Sequence, residues 1–327
     1  MKILLSRTDR IGDLILSTPA IATVRASFPD AHITMVTSPY NRIVMERNSD
    51  IDELIDLPRE VKARTFGAAR NGFDIAIALA PRSIDVQLVG ATGAGIRAGY
   101  TYQRRWIARL TSRLYLNRVM VSVADPELCE RRPNLVVPHE VDQLLELVSL
   151  AGAANRREEL RLDVRESDRA ALAHLPGHPV VLHLGSRWFG QGSTAESTLA
   201  LAEELRKRYD PVVISCPEES ERYAQMFERR GFTVAHSLPF YTWAALFERA
   251  RCVVTVDTGA THVASAVCRP TLVAFEHRYF RLNSQEWAPY RVPSVLVRKP
   301  EFADETSLAH FRARIVRGVE RLTTNDA

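Results

Sequence analysis

Short runs of apolar residues alternate along the whole chain with longer segments in which apolar positions recur every three or four residues. A short continuous run suits a strand buried on both faces, and the longer period suits a helix that buries one stripe. The alternation therefore predicts an α/β protein with parallel sheets covered on both faces. In the first half the predicted strands are 2–5, 33–36, 53–57, 75–79 and 96–100. The pattern pauses after the amphipathic stretch 141–150, where Gly152 and Asn155 read as a helix stop. A second series begins at 180–184 and runs through 212–215, 233–235, 252–256 and 271–275, with helical segments at 196–209, 220–230 and 242–250. Two doubly wound domains facing each other are expected, with the boundary inside 152–178 and the chain divided as 1–160 and 161–327. A last helical segment, 305–322, is long enough to pack back on the first domain.

A length of 327 residues agrees with two domains, because one hydrophobic core seldom grows so large. An apolar share of 46% with 25% charged residues excludes a disordered chain. The net charge of +4 comes from 43 basic and 39 acidic residues, and most of the basic ones are arginines, which suit phosphate and carboxylate partners. Acidic residues spread along the chain argue against nucleic acid as that partner. No apolar run approaches the roughly 18 residues that cross a bilayer, so neither a membrane span nor a signal peptide is expected. Cys129, Cys216, Cys252 and Cys268 are far apart, which predicts buried thiols in a reducing cytoplasm rather than a zinc site.

Open parallel sheets bind ligands beyond the carboxyl ends of their strands. After the first predicted strand comes Ser6-Arg7-Thr8-Asp9-Arg10-Ile11-Gly12-Asp13. Gly12 permits close approach there, and Asp13 either accepts a proton or caps a helix; Thr18 ahead of Pro19 is the other cap candidate. No Gly-x-Gly-x-x-Gly follows this strand, which counts against a nicotinamide or flavin domain, and Gly90 to Gly95 lies before a strand, as a turn would. At the second junction, Asp257-Thr258-Gly259-Ala260-Thr261-His262 follows the buried run 252–256. Helix-start amides, a glycine, a hydroxyl and an imidazole one turn on suit a diphosphate. Asp257 would repel phosphate, so its expected duty is to orient the loop or Thr258. The alternative is a capped structural helix with His262 packed against the sheet.

Ile11-Gly12-Asp13 with Thr18-Pro19-Ala20, then Arg97-Ala98-Gly99-Tyr100, then His139, then Asp257-Thr258-Gly259-Ala260-Thr261-His262, resemble glycosyltransferase family 9, the lipopolysaccharide heptosyltransferases. The resemblance implies a GT-B fold, two Rossmann-like domains across a cleft, with acceptor bound by 1–160 and nucleotide sugar by 161–327. It implies inversion without metal or other cofactor, ADP-heptose as donor, and a glycolipid acceptor at the cytoplasmic face of the inner membrane. It makes Asp13 the base, with Gly12 on the acceptor side, and Thr258, Gly259, Ala260 and His262 the donor element. Two departures fall on the donor side. The family's Lys-x-Trp-Pro stretch aligns with Gln191-Gly192-Ser193-Thr194, so the Lys is missing, and Phe-Gly is altered to Phe275-Glu276-His277. Arg187 is the substitute cation, with Trp188 as a wall, or else Arg187 lies on a solvated loop.

In 102–115, Trp106, Leu110 and Leu114 recur every four residues beside Arg105, Arg109 and Arg113. Such a helix either meets acceptor phosphates and anionic lipid as a peripheral contact, or faces the core with a solvated basic flank. Rival functions are a GT-B enzyme with a UDP- or GDP-sugar donor, a sugar-nucleotide-binding protein without catalysis, and a GT-B epimerase.

Overall fold

The computed structural model describes residues 1–70, 72–190 and 192–324. The chain divides into two compact units, Met1–Leu162 and Asp163–Ala327. The first holds β1 (Lys2–Ser6), β2 (His32–Thr37), β3 (Glu53–Asp56), β4 (Ile75–Ala78), β5 (Ile96–Tyr102) and β6 (Arg118–Ser122). The second holds β7 (Val180–His183), β8 (Val212–Cys216), β9 (Thr233–His236), β10 (Cys252–Val256), β11 (Thr271–Phe275) and β12 (Ser294–Arg298). Every strand pair is parallel, in the orders β3-β2-β1-β4-β5-β6 and β12-β11-β10-β7-β8-β9. Each sheet therefore reverses its winding once, between β1 and β4 in one unit and between β7 and β10 in the other. A doubly wound sheet opens a crevice at that switch point.

The central strands are buried along their whole length, as in Ile75–Ala78 and Cys252–Val256, which is why they read as unbroken apolar runs. β6 and β12 are edge strands with mixed exposure, and both escaped the sequence pattern. The predicted helix 220–230 is a 3-10 segment, Glu218–Tyr223, followed by a short α-helix, Ala224–Glu228.

The last helix, Glu305–Thr324, places Phe311, Ile315, Val316, Val319 and Leu322 in the core of the second unit, against β10, β11 and β12. At Gly318 a Cβ would lie 2.5 Å from Leu272 Cδ1, so glycine lets the helix settle on the sheet. Its apolar face is thus used within its own unit. Cys129, Cys216 and Cys252 are buried, but Cys268 is exposed. It follows the helix Gly259–Ala266 at a left-handed backbone position (φ 57°), where the chain turns outward. Among the described residues no helix is long and apolar enough to cross a membrane.

Candidate functional site

In the first unit the switch point is occupied by the chain leaving β1. It turns through residues 7–10 into the helix Ile11–Leu16, with Gly12 buried and Asp13 in the first turn. The N-cap position belongs to Arg10 and has no side-chain cap bond, so capping does not account for Asp13. Thr18 is not a cap either: its hydroxyl donates to the Ile15 carbonyl at 2.7 Å, and Ser17 holds the N-cap position of the helix Thr18–Ser27.

Beneath Asp13 lies Arg7, whose side chain is 1% exposed. Its Nε donates to Asp9 Oδ1 at 3.0 Å, and its Nη1 donates to Glu140 Oε1 at 2.9 Å and to the Leu79 carbonyl at 2.7 Å. Nη2 stands 3.8 Å from Asp13 Oδ1. The Tyr100 hydroxyl donates to the same Glu140 oxygen at 2.8 Å. Burial opposes the charge of Arg7, but Asp9 and Glu140 outweigh it and raise its pKa well above the ordinary value. The landmarks around Tyr100 and His139 thus acquire a physical meaning. β5 delivers Tyr100, and His139 caps the helix Glu140–Leu150 through Nδ1, which accepts from the Val141 amide at 3.2 Å. Together they fix Glu140 under the turn.

Burial pushes the Asp13 carboxyl up to about 7; Arg7 pulls it down, and the charges of Asp9 and Glu140 push it further up. The side chain is still 16% exposed. A carboxylate reachable from outside, with its pKa near neutrality, is suited to take a proton. A second buried carboxyl, Asp85, accepts from Ser6 Oγ at 2.7 Å and Thr8 Oγ1 at 3.1 Å, and burial raises it to about 6. It pins the turn from the other side. Arg7, Glu140 and Asp85 were not singled out from sequence; charged residues in a charged stretch look solvated until the fold buries them.

In the second unit the switch point lies between the loop after β7 and the loop after β10. Thr258 precedes the helix Gly259–Ala266, whose first-turn amides have no intrahelical acceptor and carry the positive end of the helix dipole. The two loops touch at Gly185, where a Cβ would stand 2.9 Å from Val256 Cγ2 and 3.1 Å from Thr258 Cγ2. Arg187 is not on a solvated loop. Its Nη1 donates to Asp257 Oδ2 at 2.6 Å, and its Nε lies 3.8 Å from Glu276 Oε1. Asp257 also accepts from Asn283 Nδ2 at 3.4 Å, so its carboxylate orients Arg187. Ala260 and His262 are buried; the imidazole is 6.3 Å from the Trp287 ring.

Trp188 does not wall the site. It is fully buried, with its indole N–H donating to the His183 carbonyl at 2.8 Å, because the short 3-10 turn Ser186–Phe189 points it into the core. Gln191, where the missing Lys would stand, lies outside the described residues. A different lysine serves this loop. Lys299, directly after β12 and 1% exposed, donates through Nζ to the carbonyls of Arg187 at 2.6 Å and Gly190 at 2.7 Å. Burial lowers its pKa to about 8, with Arg187 acting in the same direction against Glu276. Sequence reading missed it together with the strand that carries it.

The helix Trp106–Ser112 follows β5 at the carboxyl edge of the first sheet. Its apolar stripe does not face the core: Trp106, Leu110 and Leu114 are 65%, 62% and 80% exposed. Arg105 and Arg113 are exposed beside it, and Arg109 is partly so.

Two all-parallel, doubly wound units, each with a charged loop at its switch point, are the architecture of the GT-B fold. The chain belongs to glycosyltransferase family 9 (heptosyltransferase), whose profile it matches over residues 67–306. It is a heptosyltransferase-like glycosyltransferase. Over 293 residues it is 21% identical to lipopolysaccharide heptosyltransferase 3 of Escherichia coli, covering 83% of each chain. Its fold resembles a family 9 glycosyl transferase from Veillonella parvula with a TM-score of 0.77 at 17% identity, over 99% of this chain and 97% of the other. E. coli ADP-heptose lipopolysaccharide heptosyltransferase II gives a TM-score of 0.74 at 17% identity, over 100% and 99%. The profile begins beyond Asp13, so the assignment of that residue rests on its surroundings.

Proposed function

We propose that the chain moves a heptose from ADP-heptose onto a lipopolysaccharide inner-core or related glycolipid acceptor, by direct displacement with inversion and without a metal. The observation that carries this is the placement of Asp13, in the first turn of the helix at the switch point of the first unit, above the buried Arg7–Glu140 pair and still reachable from outside. Burial that holds its carboxyl near 7 supports the reading. In the reaction the acceptor oxygen attacks the anomeric carbon while Asp13 takes its proton. The bond to the diphosphate breaks, and its electron pair leaves with ADP. Negative charge then gathers on the leaving group, where the amides of Gly259 and Ala260, the Thr258 hydroxyl, Arg187 and His262 meet it. The solved E. coli relative is named as an ADP-heptose enzyme, which supports the donor, and the cytoplasmic face of the inner membrane is proposed as the place of the reaction.

A UDP- or GDP-sugar donor is the second reading, favoured by Glu276 beside Arg187, where the family has Phe-Gly. The test is release of nucleoside diphosphate from ADP-heptose, UDP-sugars and GDP-sugars, each with and without acceptor glycolipid and with and without a chelator. Acceptor-dependent, chelator-insensitive release from ADP-heptose is expected. Release without acceptor would instead identify hydrolysis or epimerisation, and binding without release a non-catalytic protein.

A further inference from the structure

The segment around β5 has a composition found nowhere else in the chain. From residue 86 to residue 124 there are six arginines and no Asp or Glu. Arg104 is neutralised by Asp125 and Glu127, which lie just beyond. Arg105, Arg109 and Arg113 have no carboxylate partner among the described residues. Arg105 lies over the Tyr102 ring at 5.0 Å, and Arg109 donates to the Gln103 carbonyl at 3.3 Å. Beside these cations stand Trp106, Ile107, Leu110 and Leu114, all more than half exposed. Ser112 is the only residue of the helix Trp106–Ser112 that is buried. The helix therefore turns its apolar face away from its own unit.

We infer that this helix is an interfacial anchor that docks the first unit on an anionic phospholipid surface. Four apolar side chains on one face, bordered by cations without counter-ions, match the boundary between acyl chains and acidic headgroups. Trp106 is suited to that depth, with an apolar body and a polar N–H. A second copy of the chain is a poorer occupant. A two-fold contact would set each arginine row against its own copy, and seven residues fall well short of the roughly 800 Å² per partner that a stable interface buries.

The position of the helix adds to this. It leaves the carboxyl end of β5, and Asp13 follows the carboxyl end of β1 in the same parallel sheet, with only β4 between the two strands. Neighbouring strands are about 4.8 Å apart, so the two strand ends are roughly 10 Å from each other. Docking would hold the sheet edge that carries Asp13 toward the bilayer, where a lipid-borne acceptor is found. The inference deepens the acceptor side of the proposed function, but its test needs no turnover.

The experiment is co-sedimentation with vesicles of phosphatidylcholine alone or with phosphatidylglycerol, at low and high salt. Wild type, R105E/R109E/R113E and I107S/L110S/L114S are compared, and Trp106 is followed by brominated-lipid quenching against W106F. Binding to the acidic vesicles that weakens with salt is expected. The partition coefficient should fall by roughly fivefold or more for each arginine reversed, and both triple variants should lose binding while keeping the wild-type far-UV circular dichroism and melting point. Quenching should disappear in W106F. Equal partition of the arginine variant and wild type overturns the inference, as does quenching that survives in W106F. So does wild type that sediments with neither vesicle, or that forms a dimer which the serine variant dissolves. Failure here leaves nucleotide release in detergent-solubilised acceptor untouched, so the two proposals fall separately.

Discussion

Asp13 lies 3.8 Å from a guanidinium, a separation at which an ion pair ordinarily lowers a carboxyl, and yet its pKa is about 7. The reason is burial, which outweighs the downward pull of Arg7. Arg7 also serves two nearer carboxylates, Asp9 at 3.0 Å and Glu140 at 2.9 Å, and their charges add repulsion. The base form of Asp13 is the ionised one, so kcat/KM should rise about tenfold per pH unit up to about 7 and then level. Asp13→Asn should lower the plateau by about 100-fold or more and remove the limb. The stability sign is the opposite. A folded pKa raised from 3.8 to about 7 means that the native state holds the proton longer than the unfolded chain. That contribution is complete below the unfolded value and is lost as pH climbs through 7. Asn imitates the neutral acid, so at pH 8 Asp13→Asn should melt no lower than wild type while being nearly inactive. Glu140 acts one step further back. Glu140→Gln removes a repelling charge and frees Arg7 for Asp13, so the pH limb should move to lower pH. Breaking this buried pair should also cost about 3–5 kcal/mol in urea unfolding. A limb that stays in place would show that Glu140 only supports the fold.

On the donor side the unit of function is a loop rather than a residue. Lys299 joins the end of β12 to two carbonyls of the turn that bears Arg187, and Arg187 is aimed in turn by Asp257. Lys299→Met keeps most of the buried stem but leaves those carbonyls without their donor, so Arg187 should wander. The expected result is a KM for nucleotide sugar several-fold higher with kcat less affected, measured by initial rates over a range of donor concentrations. Equal losses in kcat and kcat/KM would instead place the lysine in transition-state binding. The same elements mark how far sequence reading reaches. β10 and β11 are legible with their full bounds, because strands buried on both faces have no charged positions to blur them. β6 and β12 were missed because edge strands alternate exposure and carry charges such as Arg118 and Arg298. The loss of β12 concealed Lys299, which looked like one more surface cation near the end of the chain. Asp13 and the residues from Asp257 to His262 could be found because strand–loop–helix order places them at carboxyl ends. Which way a side chain points from those loops could not be, and Trp188 shows it: one 3-10 turn sends it into the core.

Across the molecule, each unit closes its network with its own residues. Arg7, Asp9, Asp13, Tyr100 and Glu140 all precede residue 163, and Arg187, Asp257, Glu276 and Lys299 all follow it. Acceptor-side and donor-side damage should therefore separate cleanly. Nucleotide binding stabilises the folded state by an amount set by concentration over Kd, about 2.7 kcal/mol at 100-fold excess. That shift needs the second unit's anion-binding groups and no proton transfer. ADP should raise the melting temperature of wild type, of Asp13→Asn and of R105E/R109E/R113E alike, because none of these changes touches the turn from Thr258 to His262. Arg187→Ala combined with Thr258→Val should abolish most of the shift, since it removes the cation and the hydroxyl proposed to meet the phosphates, leaving the helix-start amides and His262. Thermal unfolding followed with 0 to 10 mM ADP, a range of order 100 Kd for a ligand near 100 µM, decides between them. A shift lost in Asp13→Asn and kept in the Arg187/Thr258 variant would exchange the roles assigned to the two units.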